Sequence, residues 1–374
     1  MGKPRFKQLD SDSFFGDFVY SRVVPRDHFL VRLNQVIDWD AFVPLLLPAY
    51  PGLGEVGNSP YHPAALLKML VLAYLYKLSE RQTEEFVNLN LAAKEFVGLA
   101  VDVAAPDHST LSVFKSRLLK CGCWDQFEMI NDAVLRQARE AGIHLGKIQV
   151  VDSVHTVADV DNEADRRRQE QGRPPRDPQA QLIHKGKQSV TQPDGTAKMV
   201  ERQYLGYKSH TSLNAETGLI TSLVPTGGSA ADNKQFPKLL EHDEALQVQA
   251  ETYAGDKGYD DTDLHFRLQE QGKHSALRLR RFRTHKKDRN KECWLELEQT
   301  PEYQAGLAER YKIERKYGEA KHWHGFGRCR YLGLLRYGIQ AFLTILALNL
   351  KRIVQLLTGE YLHSPSRKRV NVAG

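Results

Sequence analysis

Ile148-Gln149-Val150-Val151-Asp152-Ser153 is a short apolar run closed by an acid. Its length and its Ile and Val content read as a buried strand, with a carboxylate at the strand's end. Two further acids close local sequences of other kinds. Asp256 follows Thr252-Tyr253-Ala254-Gly255 and precedes Lys257-Gly258-Tyr259, a second strand running into a turn. Glu314 lies in the charged stretch Tyr311-Lys312-Ile313-Glu314-Arg315-Lys316-Tyr317, which has helical character. Two carboxylates at strand ends and one on a helix can converge only through a fold.

Upstream of this run, residues 1–142 read as a helical domain for DNA binding or dimerisation. Pro63 stands at a first helical position and opens a stretch, Ala64 to Tyr76, that is apolar nearly all round and therefore buried. Ser79-Glu80-Arg81-Gln82 has capping-box form. A third helix begins at Asp107-His108-Ser109-Thr110, and a fourth, Trp124 to Ala141, stops at Gly142. Ser109 to Arg117, with Lys115 and Arg117, is the segment that would enter a DNA groove if the domain reads DNA; a plain helical packing domain fits the same pattern.

Downstream, residues 143–360 mix strands and helices. A polar excursion at about 159–200, with Arg166-Arg167-Arg168 and Pro174-Pro175, reads as weakly ordered. Tyr204 to Leu213 and Leu219 to Val224, separated by a turn, form a hairpin. The pattern predicts a helix over Phe236–Leu246, a strand over Thr252–Gly255, a helix over Asp263–Gln271 before Gly272, and a strand over His274–Leu279. Helix resumes at Pro301 and ends in an apolar C-terminal helix, Tyr337 to Leu357, before a basic tail at 361–374. The fold class is α/β, α+β overall: a mixed β-sheet flanked by helices, preceded by an all-helical N-terminal domain.

The composition, 41% hydrophobic and 26% charged over 374 residues, is that of a globular protein. No uninterrupted apolar run of membrane-spanning length occurs, and the basic N-terminus lacks a following apolar segment, so the expectation is a cytoplasmic protein without a membrane partner. Cys121, Cys123, Cys293 and Cys329 lack zinc-site spacing and read as reduced thiols. Net charge is +6, and eight basic residues against one acid lie between Arg278 and Lys291. Arg310, Lys312, Arg315, Lys316, Lys321, Arg328 and Arg330 surround Glu314. Such clusters fit a polyanionic partner.

No phosphate-cradling loop, nucleophile elbow or zinc-protease pattern competes for the chemistry. A few carboxylates suffice to hold the divalent cations of a phosphoryl displacement. Arg310, Glu314 and Lys321 have the spacing R-x(3)-E-x(6)-K, which resembles the Tyr-Arg-Glu-Lys signature of insertion-sequence DDE transposases, with Leu307 where the leading tyrosine would stand. Tyr317 to Leu334 resembles the C-terminal block of that family, and Asn349-Leu350-Lys351-Arg352 its closing helix. Asp256-Lys257-Gly258-Tyr259 and Val151-Asp152-Ser153 resemble its aspartate blocks, and Tyr61-His62-Pro63 through Leu111 its preceding helical domain.

The resemblance implies a ribonuclease-H-like core with Asp152 on the first strand, Asp256 at or just after the fourth, and Glu314 on the following helix. These three would be both catalytic and metal-binding, holding two magnesium or manganese ions. Glu319 is a rival to Glu314 on a different helical face. Arg310 and Lys321 would contact phosphates, and Lys257, Arg280, Arg281, Arg283, Arg315, Lys316, Arg328 and Arg330 join Lys115 and Arg117 as DNA-binding candidates. Trp323, His322 and His324 could stack on a flipped or frayed base at an element end; a Trp buried in a packed helix fits the same residues. The implied activity is binding of terminal inverted repeats, strand cleavage and strand transfer on double-stranded DNA, by a homodimer associated with a prokaryotic nucleoid. A non-catalytic DNA-binding descendant and a metal-dependent nuclease without joining remain as alternatives.

Overall fold

The computed structural model describes residues 5–7, 9, 14–50, 59–191, 196–284 and 289–362. The chain divides into two compact units, Met1–Ile143 together with Leu346–Gly374, and His144–Ile345. The expected basic tail lies outside the described residues beyond 362.

The first unit is helical: α1 Phe14–Val23, α2 Phe29–Val36, α3 Val43–Leu46, α4 Pro63–Leu75, α5 Glu80–Leu89, α6 Leu91–Val97, α7 His108–Lys120 and α8 Asp125–Glu140. All thirteen residues of α4 are buried, as an all-round apolar helix requires. Even Lys68 is covered, its ammonium 5.5 Å from the ring centres of both Trp39 and Phe96. The capping box at Ser79 forms: its hydroxyl accepts from Gln82 N, and the Gln82 side chain accepts from Ser79 N. Asp107 caps α7 through Thr110 N at 2.8 Å. Beyond α8, Gly142 takes φ +92, the left-handed stop that glycine permits.

The second unit contains β1 Ile148–Val157, α9 Asn162–Glu170, β2 Gln181–Thr191, β3 Ala197–Asn214, β4 Ile220–Gly227, α10 Asp232–Ala245, β5 Thr252–Gly255, α11 Thr262–Glu270, β6 His274–Leu277, α12 Lys291–Gln299, α13 Pro301–Glu309 and α14 Tyr311–Trp323, and α15 Leu334–Thr358 follows. Its sheet is mixed. β1 runs antiparallel to β3 and parallel to β5, and β5 runs parallel to β6. β3 is long enough to pair with β2 along its first half and β4 along its second. This is the expected ribonuclease-H-like sheet with one strand added.

That added strand corrects the reading of residues 159–200 as weakly ordered. The segment holds α9 and β2, because its polar residues bond to the fold rather than to water alone. Asp161 caps α9, Asp165 accepts from Arg176 N at 2.6 Å, and buried Asp177 accepts from Tyr207 OH at 2.7 Å. β3 supplies the backbone partners of β2. Consequently Asp256 follows the fifth strand in chain order. A second omission is α12, which precedes the expected helical start at Pro301.

Helices cover both faces of the sheet. Phe236 of α10 meets Tyr253 edge-on at 5.7 Å. On the opposite face α13 comes so close that a Cβ on Gly306 would stand 2.5 Å from Ala276 Cβ and 3.3 Å from Ala254 Cβ. Val150 is opposite Ala254 in the register, so strand alternation turns Asp152 toward the α13 face as well. Helix α15 is the one described helix long and apolar enough to cross a membrane, yet 67% of its most apolar window is buried in the fold.

Candidate active site

Parallel pairing brings the two aspartates together. Val151 lies opposite Gly255, so Asp152 and Asp256 are the next residues on neighbouring parallel strands, at the same end of the sheet. Asp152 Oδ1 accepts from Ser153 N at 2.8 Å, and Asp256 Oδ1 from Gly258 N at 2.6 Å. Burial pushes the Asp152 carboxyl up to about 7; the Ser153 bond opposes this, Asp256 and Asp232 push it further up, and Arg310 pulls it down.

Helix α14 is fastened to β1 at this point. Tyr317 donates its hydroxyl proton to Asp152 O at 2.8 Å. With that proton committed, Thr211 Oγ1, 2.6 Å away, is the donor to the Tyr317 oxygen. Thr211 is directly opposite Asp152 in the antiparallel register, so one buried hydroxyl ties two strands to the helix. Farther along, Val157 N donates to Gly327 O and Cys329 N to Val157 O, which fixes the chain after α14 against the far end of β1.

Glu314 precedes Tyr317 by three residues and so lies toward the same side of α14. Its side chain is 63% exposed and sits 3.7 Å from the Arg310 guanidinium. Arg310 is half-buried at the α13–α14 junction, and its Nε is buried without a hydrogen-bond partner among the described residues. Glu319 pairs instead with Lys316 at 3.1 Å. Among the described residues no three His, Cys, Asp or Glu side chains cluster as a ready-made metal cage. The structure therefore brings Asp152 and Asp256 together and leaves Glu314 beside Arg310. Two carboxylates side by side at the strand ends are nonetheless oxygen donors of the kind that suits a hard divalent cation.

A further acid, Asp232 at the start of α10, belongs to this cluster and went unnoticed in the sequence. It is ion-paired with Lys208 at 3.2 Å, and His210 Nδ1, whose pKa burial lowers, lies at the same distance. Burial alone would raise its pKa, but hydrogen bonds from His210 and Ser153 and the charge of Lys208 hold it below the usual carboxylate range. A Cβ on Gly258 would stand 2.8 Å from Asp256 Oδ1 and 3.0 Å from Asp232 Oδ2, so both carboxylates close on that glycine. The available signal was Lys208 and His210, two apart and hence on one face of β3.

The cationic candidates separate by placement. Lys257, Arg280 and Arg281 line a cavity of about 790 Å³ that also includes Asp256. Arg283 turns inward, buried, with Nε 3.1 Å from Asp260 Oδ1. Lys115 is likewise buried and paired with Glu80, whereas Arg117 is exposed on α7. Lys321 is half-buried and Arg315 exposed on α14. Arg328 reaches Asp159 at 2.9 Å, and the Arg330 backbone N–H donates to Gln340. Trp323 is 43% exposed with His322 edge-on at 4.5 Å, while His324 is buried.

Residues 152–350, the span that begins at the first aspartate, match the family model described as Transposase DDE domain. Residues 18–117, within the helical unit, match that described as Transposase domain (DUF772). The first match covers more than half of the chain, and the protein belongs to the insertion-sequence DDE transposases.

Proposed function

We propose that the protein binds the terminal inverted repeats of an insertion sequence and catalyses strand cleavage and strand transfer on double-stranded DNA, acting as a homodimer that pairs two ends. The observation that carries the reading is the placement of Asp152 and Asp256 side by side at the ends of parallel strands, under a helix that bears Glu314. Asp152, Asp256 and Glu314 would hold magnesium or manganese, two ions in the expected arrangement. Bound there, such ions supply activation of the attacking oxygen and stabilisation of the leaving one.

The chain's own residues do the positioning. Tyr317 holds α14 in register with Asp152, and Gly258 N orients the Asp256 carboxylate. Arg310 lies 3.7 Å from Glu314, and its charge also lowers the pKa of Asp152. A phosphate taken by Arg310 would compete with Glu314 for the guanidinium and free that carboxylate to turn toward the aspartates. Lys321, on the same helix, would contact the backbone of the same strand.

The test uses Asp152→Asn, Asp256→Asn and Glu314→Gln with DNA carrying the element's own ends. Each variant is expected to lose metal-dependent cleavage while retaining DNA binding in a gel shift. Cleavage retained in all three would remove the site assignment. A strand-transfer assay on a pre-cleaved end then distinguishes a transposase, which joins, from a nuclease, which does not.

A further inference from the structure

The cavity beside Asp256 is lined by Lys257, Arg278, Arg280 and Arg281, with Asp256 itself as its acid. Lys257, Arg278 and Arg281 are exposed, and their side chains make no ion pair or hydrogen bond among the described residues. The backbone that carries them is fixed from beneath. Leu279 N donates to Tyr303 OH at 3.1 Å, and Arg280 N to Asp260 Oδ2 at 2.9 Å. Arg280 Nε donates to Lys257 O at 2.9 Å, joining the two sides of the cavity. Arg283 anchors the segment from below, paired with Asp260 and lying 5.1 Å from the Trp294 ring centre. Asp260 is held in turn by His265 at 3.2 Å.

Unpaired cations on a backbone tethered this firmly pay little ordering cost when they meet a polyanion. The cavity is continuous with Asp256, so a phosphodiester held at the aspartates has its next phosphates at the cavity's mouth. We infer that this groove is the track of the scissile DNA strand on the β6 side of the cleavage point, with Lys257, Arg278 and Arg281 contacting its phosphates. The inference rests on the transposase reading of Asp152 and Asp256. It also separates two roles within one basic run: Arg283 builds the groove, and Arg278 and Arg281 use it.

The experiment measures binding of the full chain to a fluorescent duplex carrying the element's end, across a salt series. In R278A/R281A the slope of log affinity against log salt is expected to become shallower by about 1.8, the loss of two phosphate contacts. R278K/R281K, which keeps the charges, restores the slope. R166A/R167A, on exposed α9 residues paired within their own helix, leaves it unchanged. Single methylphosphonates are then stepped through both sides of the cleavage point in the presence of manganese. A neutral linkage on one side is expected to slow the wild type at least tenfold and R278A/R281A hardly at all. An unchanged salt slope, or a methylphosphonate penalty that persists in the double variant, overturns the groove assignment. If the wild type cuts that DNA and R278A/R281A cuts it equally well, only this inference fails; if the wild type does not cut it at all, the catalytic reading fails and takes the inference with it.

Discussion

Gly258→Ala adds one methyl group between two carboxylates. The new Cβ would lie 2.8 Å from Asp256 Oδ1 and 3.0 Å from Asp232 Oδ2, whereas non-bonded heavy atoms settle at about 3.5 Å. Each carboxylate must therefore retreat by roughly half an ångström or more, by that same contact distance. Asp256 cannot do so without stretching its 2.6 Å bond from Gly258 N. The fold itself has little reason to object, because Gly258 is not among the described glycines with positive φ and the atoms it meets are the ends of side chains. Loss of glycine's freedom in the unfolded chain even favours the variant by about 0.4–1 kcal/mol. A reacting centre displaced by about 1 Å can lose on the order of 100-fold in rate. The expectation is thus a melting temperature within about 2 °C of wild type and a 10- to 100-fold slower metal-dependent cleavage, scaled from that sensitivity to displacement. Paired thermal melts and cleavage time courses decide the matter. Wild-type cleavage by a folded G258A protein would refute the placement of Asp256 at the reacting centre.

Two other perturbations probe the surroundings of the site. Tyr317→Phe removes the hydroxyl that joins Thr211 to the Asp152 carbonyl and strands buried polar groups at a cost of about 1–3 kcal/mol; a melting temperature lowered by several degrees is expected, and one unchanged to within about 1 °C would show that α14 is not fastened there. Burial pushes the Cys329 thiol up to about 12, so it carries almost no thiolate at pH 8. Iodoacetamide should label exposed Cys123 and Cys293 in the native protein and Cys329 only after unfolding, and native labelling of Cys329 at a comparable rate would contradict its burial.

How much of the fold was legible depended on where the bonding partners lay. The capping box at Ser79, the N-cap at Asp107 and the stop at Gly142 are local devices, readable because each is complete within a few residues. Strand β5 was legible to its last residue because it is buried and bounded by Gly255. The segment 159–200 failed for the opposite reason. Its order comes from Tyr207 bonding Asp177 across 30 positions and from β3 pairing with β2, and no window of sequence contains both partners. Helix α12, with Trp294 buried beside His265 at 5.0 Å, was hidden in the same way behind a basic run.

The site obeys the same division, with a chemical consequence. Strand ends mark Asp152 and Asp256, and the family signature marks Glu314, but sequence cannot say which acids the fold has already neutralised. Asp232 meets Lys208 and His210 from β3, 24 and 22 residues away, and is held in its charged form. Asp152 sits near the same acids under heavier burial and is pushed up to about 7. A cation of the sheet, Lys208, therefore stands directly against Asp232, whereas Asp152 has only the weaker opposing charge of Arg310. Under the proposed function Asp152 and Asp256, side by side at the strand ends, would take the divalent cation, whereas Asp232, already paired with Lys208, is placed against Ser153 and the Gly258 turn. On that reading two of three neighbouring aspartates would bind the metal and the third would position them, a division that turns on the long-range pairing of Asp232 with Lys208.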